Sequence, residues 1–250
     1  MKTRLDKLLV ERGLAPTRER AQAMILAGRV LVDEQKVEKP GHSVAADALL
    51  RLLGMDLRYV SRGGLKLEGA LAHWGIALDG RFCLDVGAST GGFTDCMLQH
   101  GAARVLAVDT GYGQIAQSLR SDARVTLMER TNARNLAPGA LPEGISFLAM
   151  DVSFISATLL LPAVMAAARR DDTEAFEAVI LVKPQFEAGR EHVGKGGIVR
   201  DPEAHRLAVE RVTECVKELG GERIEMIESP IQGAEGNREF LLHARWRVQG

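Results

Sequence analysis

The feature that most restricts the fold of this chain is the stretch Phe82–Thr94, which reads FCLDVGASTGGFT. Its apolar start, Phe82–Leu84, is typical of a buried parallel strand, and Asp85 closes it. Three glycines then let the backbone turn tightly and approach a ligand closely. These glycines are Gly87, Gly91 and Gly92. The next segment, Phe93–His100, predicts a helix, so the stretch as a whole predicts a nucleotide-type binding site at a helix N-terminus.

A second acidic residue, Asp109, follows the next predicted strand, 24 positions after Asp85. A carboxylate there can accept hydrogen bonds from both hydroxyls of a ribose. The glycines are not spaced GxGxxG, and an acid that opens the glycine loop would repel a pyrophosphate. Both observations favour a cofactor without phosphates, and the alternative is a plain strand–turn–helix.

This pattern resembles the first two motifs of the Rossmann-like S-adenosylmethionine (SAM) methyltransferases, in which the segment after the third strand often contacts the adenine. The resemblance implies SAM as the cofactor and a set of residues on the strand-end loops that bind it. The set is Asp85, Gly87, Ser89, Thr90, Gly91, Gly92, Asp109, Asn132 and Asp151.

Strands and helices alternate along most of the chain, which predicts an α/β fold with a doubly wound, mainly parallel sheet. We expect two domains, residues 1–60 and 61–250, with the boundary in the glycine-bearing junction Arg58–Gly64. The predicted strands of the second domain are Phe82–Leu84, Arg104–Val108, Val125–Met128, Ile145–Met150, Ala178–Val182, Ile224–Glu228 and Glu239–Val248.

Composition excludes several classes of protein. The formal net charge is −1 and charged residues make up 26% of the chain, as in ordinary globular proteins. The three cysteines have neither metal-ligand spacing nor a paired framework, so we expect a reducing cytoplasm and no metal. The most apolar run, Ala157–Ala168, is too short to cross a bilayer, and we expect no membrane association.

The first 60 residues carry 11 Lys/Arg and 8 Asp/Glu, a mild basic bias. Two short amphipathic helices, the second capped by Thr17, precede a strand hairpin around Asp33-Glu34. The segments RLD, GLA, TR and GRV resemble the S4-type RNA-binding module, although that family commonly has Asn-Gly in the turn. The resemblance implies an RNA-binding face on basic side chains, which would otherwise be a solvated surface. They are Arg4, Lys7, Arg18, Arg20 and Arg29.

Charged residues stand where four predicted parallel strands end, and such ends share one edge of an open sheet. They are Asp85, Asp109, Asp151 and Lys183. Asp151 and Lys183 end neighbouring strands in the usual order, so we expect them close together. Pro184 fixes the turn that aims the lysine. Lys66, near the start of a predicted helix, is unfavourable for the helix dipole and calls for a reason, although a solvent-facing lysine would be the simple explanation.

Lys66, Asp151, Lys183 and Glu239 match, in order and context, the Lys-Asp-Lys-Glu tetrad of the FtsJ-like RNA 2′-O-methyltransferases. Together with the segments VSRGGLKL, DVGASTGGFTD, MDVSFIS, VKPQFE, KGGIVRDP and GNxEF, the chain resembles the TlyA or haemolysin A family. That resemblance implies SAM-dependent methylation of cytidine 2′-hydroxyls in ribosomal RNA, with ribosomal subunits as partners.

The same resemblance assigns roles to the tetrad. Lys183 would act as the base or orient the hydroxyl, Asp151 would hold Lys183, and Lys66 with Glu239 would position the ribose. Two alternatives remain: a membrane-active haemolysin, against which the short apolar runs argue, and an RNA-binding protein with a non-catalytic platform.

Overall fold

The structure is a computed structural model that describes residues 2–53, 58–169, 175–233 and 236–247. Val248, the predicted end of the last strand, lies outside the described residues. The chain divides into two compact units, Met1–Leu57 and Arg58–Gly250, which are described separately below.

The small unit packs two short helices against short strands. Leu5, Leu8 and Leu9 lie on one face of the first helix and are buried, as their spacing of three and four residues predicts. The side chain of Thr17 accepts a hydrogen bond from the Arg20 N–H and caps the second helix. The elements are β1 (Lys2–Arg4), α1 (Leu5–Glu11), α2 (Arg18–Leu26), β2 (Val30–Val32), β3 (Gln35–Lys36), β4 (Ser43–Ala45) and β5 (Leu50–Leu52).

The hairpin between β2 and β3 is closed by two residues that both have positive φ, Asp33 at 50° and Glu34 at 64°. A two-residue hairpin turn needs this left-handed backbone, which is why Asn-Gly is the usual choice. Here Asp33 also accepts a hydrogen bond from the Leu49 N–H at 2.9 Å, which ties the turn to the segment before β5. The departure from Asn-Gly therefore leaves the hairpin intact.

The large unit is built on a seven-stranded sheet with the order β11-β12-β10-β9-β6-β7-β8. Among the described strands of this sheet, β12 alone is reversed: it is antiparallel to both of its neighbours, β10 and β11, and the other strands share one direction. Buried apolar side chains form a core on each face of the sheet. This architecture confirms the predicted α/β fold with a mainly parallel sheet.

Helix α3 precedes the first strand of the large unit, and the other helices named below lie in the connections between its strands. The strands are β6 (Phe82–Val86), β7 (Arg104–Val108), β8 (Val125–Met128), β9 (Ile145–Met150), β10 (Ala175–Val182), β11 (Glu222–Glu228) and β12 (Phe240–Arg247). The helices are α3 (Gly63–Trp74), α4 (Gly92–Gln99), α5 (Gln117–Arg120), α6 (Leu161–Ala168), α7 (Pro184–Glu187) and α8 (Pro202–Glu218).

Two boundaries differ from the prediction in ways that matter for the site. Strand β6 continues to Val86, so Asp85 lies inside the sheet, opposite Ala107 of β7 and Ala149 of β9, instead of closing the strand. Helix α3 begins at Gly63, which places Lys66 within its first turn.

Candidate active site

The carboxyl edge of the sheet brings charged residues from distant parts of the chain together. Asp151 follows β9 and Lys183 follows β10, and these two strands are hydrogen-bonded neighbours that run parallel. Glu239 lies at the same edge, although it precedes a strand and does not follow one. It precedes β12, which is antiparallel, so the start of that strand lies where its neighbours end.

Lys183 has two side-chain partners on the loop that follows β9. Its Nζ lies 2.6 Å from Asp151 Oδ1 and donates a hydrogen bond to Ser153 Oγ at 2.7 Å. The residue is 8% exposed, so the ammonium group is largely shielded from water. These contacts agree with the expected proximity of Asp151 and Lys183, and they add Ser153, which the sequence did not indicate.

Lys66 is paired with Glu239, 173 positions away in the sequence, at 2.5 Å between Nζ and Oε2. Both residues are buried. This pair explains why a lysine is tolerated in the first turn of α3, where the helix dipole disfavours a cation, because the Glu239 carboxylate compensates it directly.

The two lysines line one cavity of about 370 Å³. Its wall is formed by the start of α3, the glycine loop, the loop after β9, Lys183 and the segment after β11. The polar lining residues are Ser61, Arg62, Lys66, Ser89, Thr90, Asp151, Ser153, Lys183 and Gln232. A polar cavity that presents two lysines suits a hydroxylated, anionic substrate.

A second cavity of about 550 Å³ adjoins the first, because Gly87, Ser89, Asp151 and Ser153 line both. Its volume is typical of small-molecule sites. Asp109 lines it, and the Asp109 carboxylate accepts hydrogen bonds from the Ser89 N–H at 2.7 Å and the Gly111 N–H at 2.6 Å. These bonds leave carboxylate lone pairs for a ligand hydroxyl. The cleft therefore fits a nucleoside-type cofactor.

The predicted cofactor residues divide into those that line a cavity and those that support the loop. The lining group is Gly87, Ser89, Thr90, Gly92, Asp109, Asn132 and Asp151. Asp85 and Gly91 line neither cavity. Gly91 has φ 95°, and a Cβ there would lie 2.3 Å from Leu119, so its role is to let α5 pack closely. Gly87 has φ 87°, and a Cβ would lie 2.2 Å from the Asp151 carbonyl oxygen.

Asp85 is completely buried, and its carboxylate accepts a hydrogen bond from Thr94 Oγ1 at 2.6 Å. Its second carboxylate oxygen has no protein partner. Burial raises the pKa of Asp85 to about 7, and the nearby Asp151 and Asp109 charges add to that rise. Because β6 is longer than predicted, Asp85 lies within the sheet and not at the end of the strand, and its role in cofactor binding stays a prediction.

Two further residues at the carboxyl edge of the sheet were not predicted as site residues. Phe154, with φ 66° and 92% exposed, lines the second cavity and contacts the Phe186 ring at 5.5 Å between centroids. Glu187 is buried and accepts hydrogen bonds from Ser156 Oγ at 2.5 Å and the Ala157 N–H at 2.7 Å. Burial raises its pKa. The sequence shows that these residues are aromatic or acidic, but their partners lie about 30 positions away. Such distant contacts produce no periodic pattern from which a site could be predicted.

The small unit gathers some of its predicted RNA-binding residues around a buried carboxylate. Asp6 accepts hydrogen bonds from Arg4, Arg18 and Gln22 at 2.9 to 3.0 Å. Both arginine side chains remain nearly half exposed. We call these four residues the Asp6 cluster.

The other predicted basic residues do not join this cluster through their side chains in the described contacts. Lys7 has an exposed side chain, and its backbone N–H donates to Asp6 Oδ1. Arg20 is half-buried near the cap of α2, and Arg29 donates to the Leu53 carbonyl at 3.2 Å.

Within the described ranges, no group of three or more His, Cys, Asp or Glu side chains is arranged to hold a metal ion. Among the helices in that same part of the chain, none has the length and apolar character to span a membrane.

Comparison with known proteins adds independent findings. Residues 59–246 match the profile of the FtsJ-like methyltransferase family, and residues 3–50 match the S4 domain. The chain is 45% identical to the 16S/23S rRNA (cytidine-2′-O)-methyltransferase TlyA of Mycobacterium tuberculosis, over 98% of this chain and 90% of that protein. It is 39% identical to Hemolysin A of Brachyspira hyodysenteriae, over 96% of this chain and 98% of that protein.

A solved structure shows the same architecture. A presumed hemolysin from Streptococcus thermophilus superimposes with a TM-score of 0.74 at 45% identity, covering 98% of this chain and 89% of that chain.

Proposed function

This chain belongs to the FtsJ-like methyltransferases, in the group that includes the TlyA and hemolysin A proteins, and from this premise we propose its reaction. It transfers a methyl group from SAM to the ribose 2′-hydroxyl of a cytidine in ribosomal RNA, with ribosomal subunits as partners in the cytoplasm. The observation that carries the proposal is the shared wall between a cavity with two lysines and a cleft with a ribose-binding carboxylate.

Cofactor binding is assigned to the second cavity. Asp109 accepts hydrogen bonds from the ribose hydroxyls of SAM, and the Ser89 and Gly111 N–H groups hold the carboxylate in place for that role. Asn132 and the glycine loop bound the cleft on either side. When bound, SAM would supply an electrophilic methyl group.

Catalysis is assigned to Lys183. A ribose hydroxyl is a weak acid and a weak nucleophile, so it reacts readily only when a positioned base takes its proton. The neutral amine of Lys183 takes that proton and becomes an ammonium ion. The hydroxyl oxygen forms a bond to the methyl carbon, and the carbon–sulfur bond breaks with its electron pair left on sulfur.

Asp151 and the Lys66–Glu239 pair prepare the site for this step. Asp151 contacts Lys183 at 2.6 Å and stabilises the ammonium ion that the reaction forms. Lys66 lines the same cavity, where its fixed charge positions the ribose and its adjoining phosphate. Phe154 offers an exposed aromatic face near the shared wall on which a base can stack.

RNA delivery is assigned to the small unit. The Asp6 cluster presents two half-exposed guanidinium groups, whose several donors suit phosphate oxygens. Lys7, Arg20 and Arg29 extend the basic character of this unit.

The proposal is tested by incubating the purified protein with ribosomal subunits and methyl-labelled SAM. We expect label on a ribose of the RNA, detected as an alkali-resistant dinucleotide after hydrolysis and located by mass spectrometry. Label on a base, or no label on any RNA together with lysis of erythrocytes in SAM-free buffer, would contradict the proposal and favour another function.

A truncated protein tests the division of labour between the units. A chain that starts at Arg58 keeps the whole large unit and should bind SAM as the full chain does. It should lose methylation of ribosomal RNA, because the phosphate contacts of the small unit are gone. For the full chain, RNA affinity should fall as salt rises. Methylation by the truncated chain at the full rate would show that the small unit does not deliver the RNA.

A further inference from the structure

Ser153 is the second side chain that contacts Lys183, and it lies at the meeting point of the two cavities. Its Oγ accepts a hydrogen bond from Lys183 Nζ at 2.7 Å, and the residue lines both the lysine cavity and the cofactor cleft. Asp151, the other partner of Lys183, lies at 2.6 Å. Lys183 is therefore held from two directions.

The number of partners matters because of the shape of an amine. A neutral amine nitrogen on a carbon chain has two hydrogens and one lone pair, arranged roughly as a tetrahedron with the carbon. If Asp151 accepts one hydrogen and Ser153 accepts the other, the lone pair takes the only direction left. With Asp151 alone, the amine could rotate about its carbon–nitrogen bond and present a hydrogen where the lone pair is needed.

We propose that Ser153 is a positioning residue for methyl transfer, which accepts one Lys183 hydrogen so that the amine lone pair points at the ribose hydroxyl. This inference rests on the function proposed above. The proton of the 2′-hydroxyl passes to that lone pair as the oxygen–methyl bond forms. Ser153 takes no proton itself, and the Lys183 ammonium ion later loses its extra proton to water.

The loop that carries Ser153 is anchored on its far side. Ser156 and Ala157 both donate hydrogen bonds to the buried carboxylate of Glu187, which lies on α7, the helix that starts directly after Lys183. Between these contacts, the rings of Phe154 and Phe186 lie against each other. The two strand-end loops are thus joined at three points, which fixes the position of Ser153 relative to Lys183.

The test measures single-turnover methyl transfer to ribosomal subunits by the full chain, with SAM and RNA affinities measured in parallel. Ser153→Ala should slow the chemical step about tenfold, the effect of about 1.4 kcal/mol, as expected for one lost hydrogen bond. SAM and RNA affinities should stay within about twofold. Ser153→Thr keeps the hydroxyl and should retain most of the rate, whereas Ser153→Cys, a weak acceptor, should be as slow as Ser153→Ala.

A double-mutant cycle separates positioning from a general structural role. If Ser153 acts through Lys183, Ser153→Ala should cause no further loss in a Lys183→Ala background. Ser121→Ala, an exposed serine outside both cavities, is the matched control and should leave the rate unchanged.

Three results would overturn the inference: a Ser153→Ala rate within twofold of wild type, an equal loss in both backgrounds, or a loss explained by weaker SAM binding. The wild-type reaction separates the two proposals. If the wild type does not methylate ribose, the proposed function fails. If it does and one of these three results is found, only the role of Ser153 fails.

Discussion

The Asp6 cluster of the small unit and the candidate active site of the large unit pair their carboxylates with different cations. In the small unit, Arg4 and Arg18 bind the buried Asp6 and leave much of each guanidinium group in solvent. In the large unit, Lys66 and Lys183 are themselves buried, and each lies on the wall of a cavity and contacts a carboxylate.

The difference follows from the chemistry of the two side chains. Arginine stays charged and offers five donors in a rigid plane, so a carboxylate can anchor one edge while the other binds phosphate. Lysine is a compact cation that can lose its proton when water is excluded. From this comparison we expect recognition of RNA phosphates in the small unit and proton transfer in the large one.

The strongest test of this comparison is at Lys183, where we expect the largest effect on the methyl-transfer rate. Lys183→Ala should lower the single-turnover rate about 10²–10⁴-fold, the usual contribution of a positioned acid–base group. SAM affinity should barely change. Lys183→Arg keeps the charge but cannot become neutral, so it should be as slow as Lys183→Ala. Recovery of most activity in Lys183→Arg would show that the lysine acts as a fixed cation, as the arginines of the small unit do.

The Lys66–Glu239 pair should show the next largest effect, measured as the free energy of unfolding in urea. Lys66→Met leaves the Glu239 carboxylate buried without a cation, which typically costs about 3–5 kcal/mol. The double variant Lys66→Met/Glu239→Leu should recover much of that stability and yet remain inactive. Arg206→Ala, which removes an exposed cation paired with Glu203 and Glu210 on α8, is the control and should cost under about 1 kcal/mol.

Asp109 extends the comparison between the two units to a carboxylate without a cation. Its described partners are backbone N–H groups, whereas those of Asp6 include two arginines. Asp109→Ala should weaken SAM binding by about 1–3 kcal/mol, the usual cost of losing hydrogen bonds to a charged acceptor. Calorimetry measures this affinity. Asp122→Ala, which removes a carboxylate paired with Arg124 away from both cavities, should leave SAM binding unchanged.

The smallest effect concerns Asp6 and the pH dependence of stability. Its hydrogen bonds from Arg4 hold the pKa of Asp6 well below the usual range. The unfolded chain takes up a proton near pH 4, before the folded one does, so the stabilisation is present above that pH and is lost as pH falls below it. The difference in melting temperature between wild type and Asp6→Asn should therefore be largest near neutral pH and narrow below pH 4.

Asp47→Asn, a change at an exposed aspartate of the same unit, serves as the control for this pH series. If the difference in melting temperature between wild type and Asp6→Asn stays constant from pH 7 to pH 2, this would contradict an ionised Asp6 in the folded protein.

The sequence was informative wherever a functional residue ends a strand. Asp109, Asp151 and Lys183 directly follow strands β7, β9 and β10, and the apolar runs before them mark those strands clearly. Asp85 was misplaced because the pattern FCLDV does not reveal that a buried strand continues through a carboxylate. Burial, which raises the pKa of Asp85, comes from the neighbouring strands β7 and β9, and these strands are distant in sequence.

Contacts between loops were not predictable in the same way. Ser153 and Glu187 contact their partners across 30 and 31 positions, and neither belongs to a periodic pattern. Only part of the Asp6 cluster could be predicted from the sequence. Its arginines were predicted as an exposed basic face, but the buried carboxylate that orders them appears only once α1 and α2 pack together.

The reversed direction of β12 has a consequence for how the enzyme matures. Because this strand is antiparallel, Glu239 comes from its start and meets Lys66 across 173 positions. During synthesis, the residues that line the second cavity and form the loops around Lys183 are all added to the chain before residue 239. Lys66 therefore lacks its counter-ion until β12 has been made and has inserted between β10 and β11. A partly synthesised chain therefore already contains the residues that line the second cavity, while the first cavity still lacks the carboxylate that compensates the charge of Lys66.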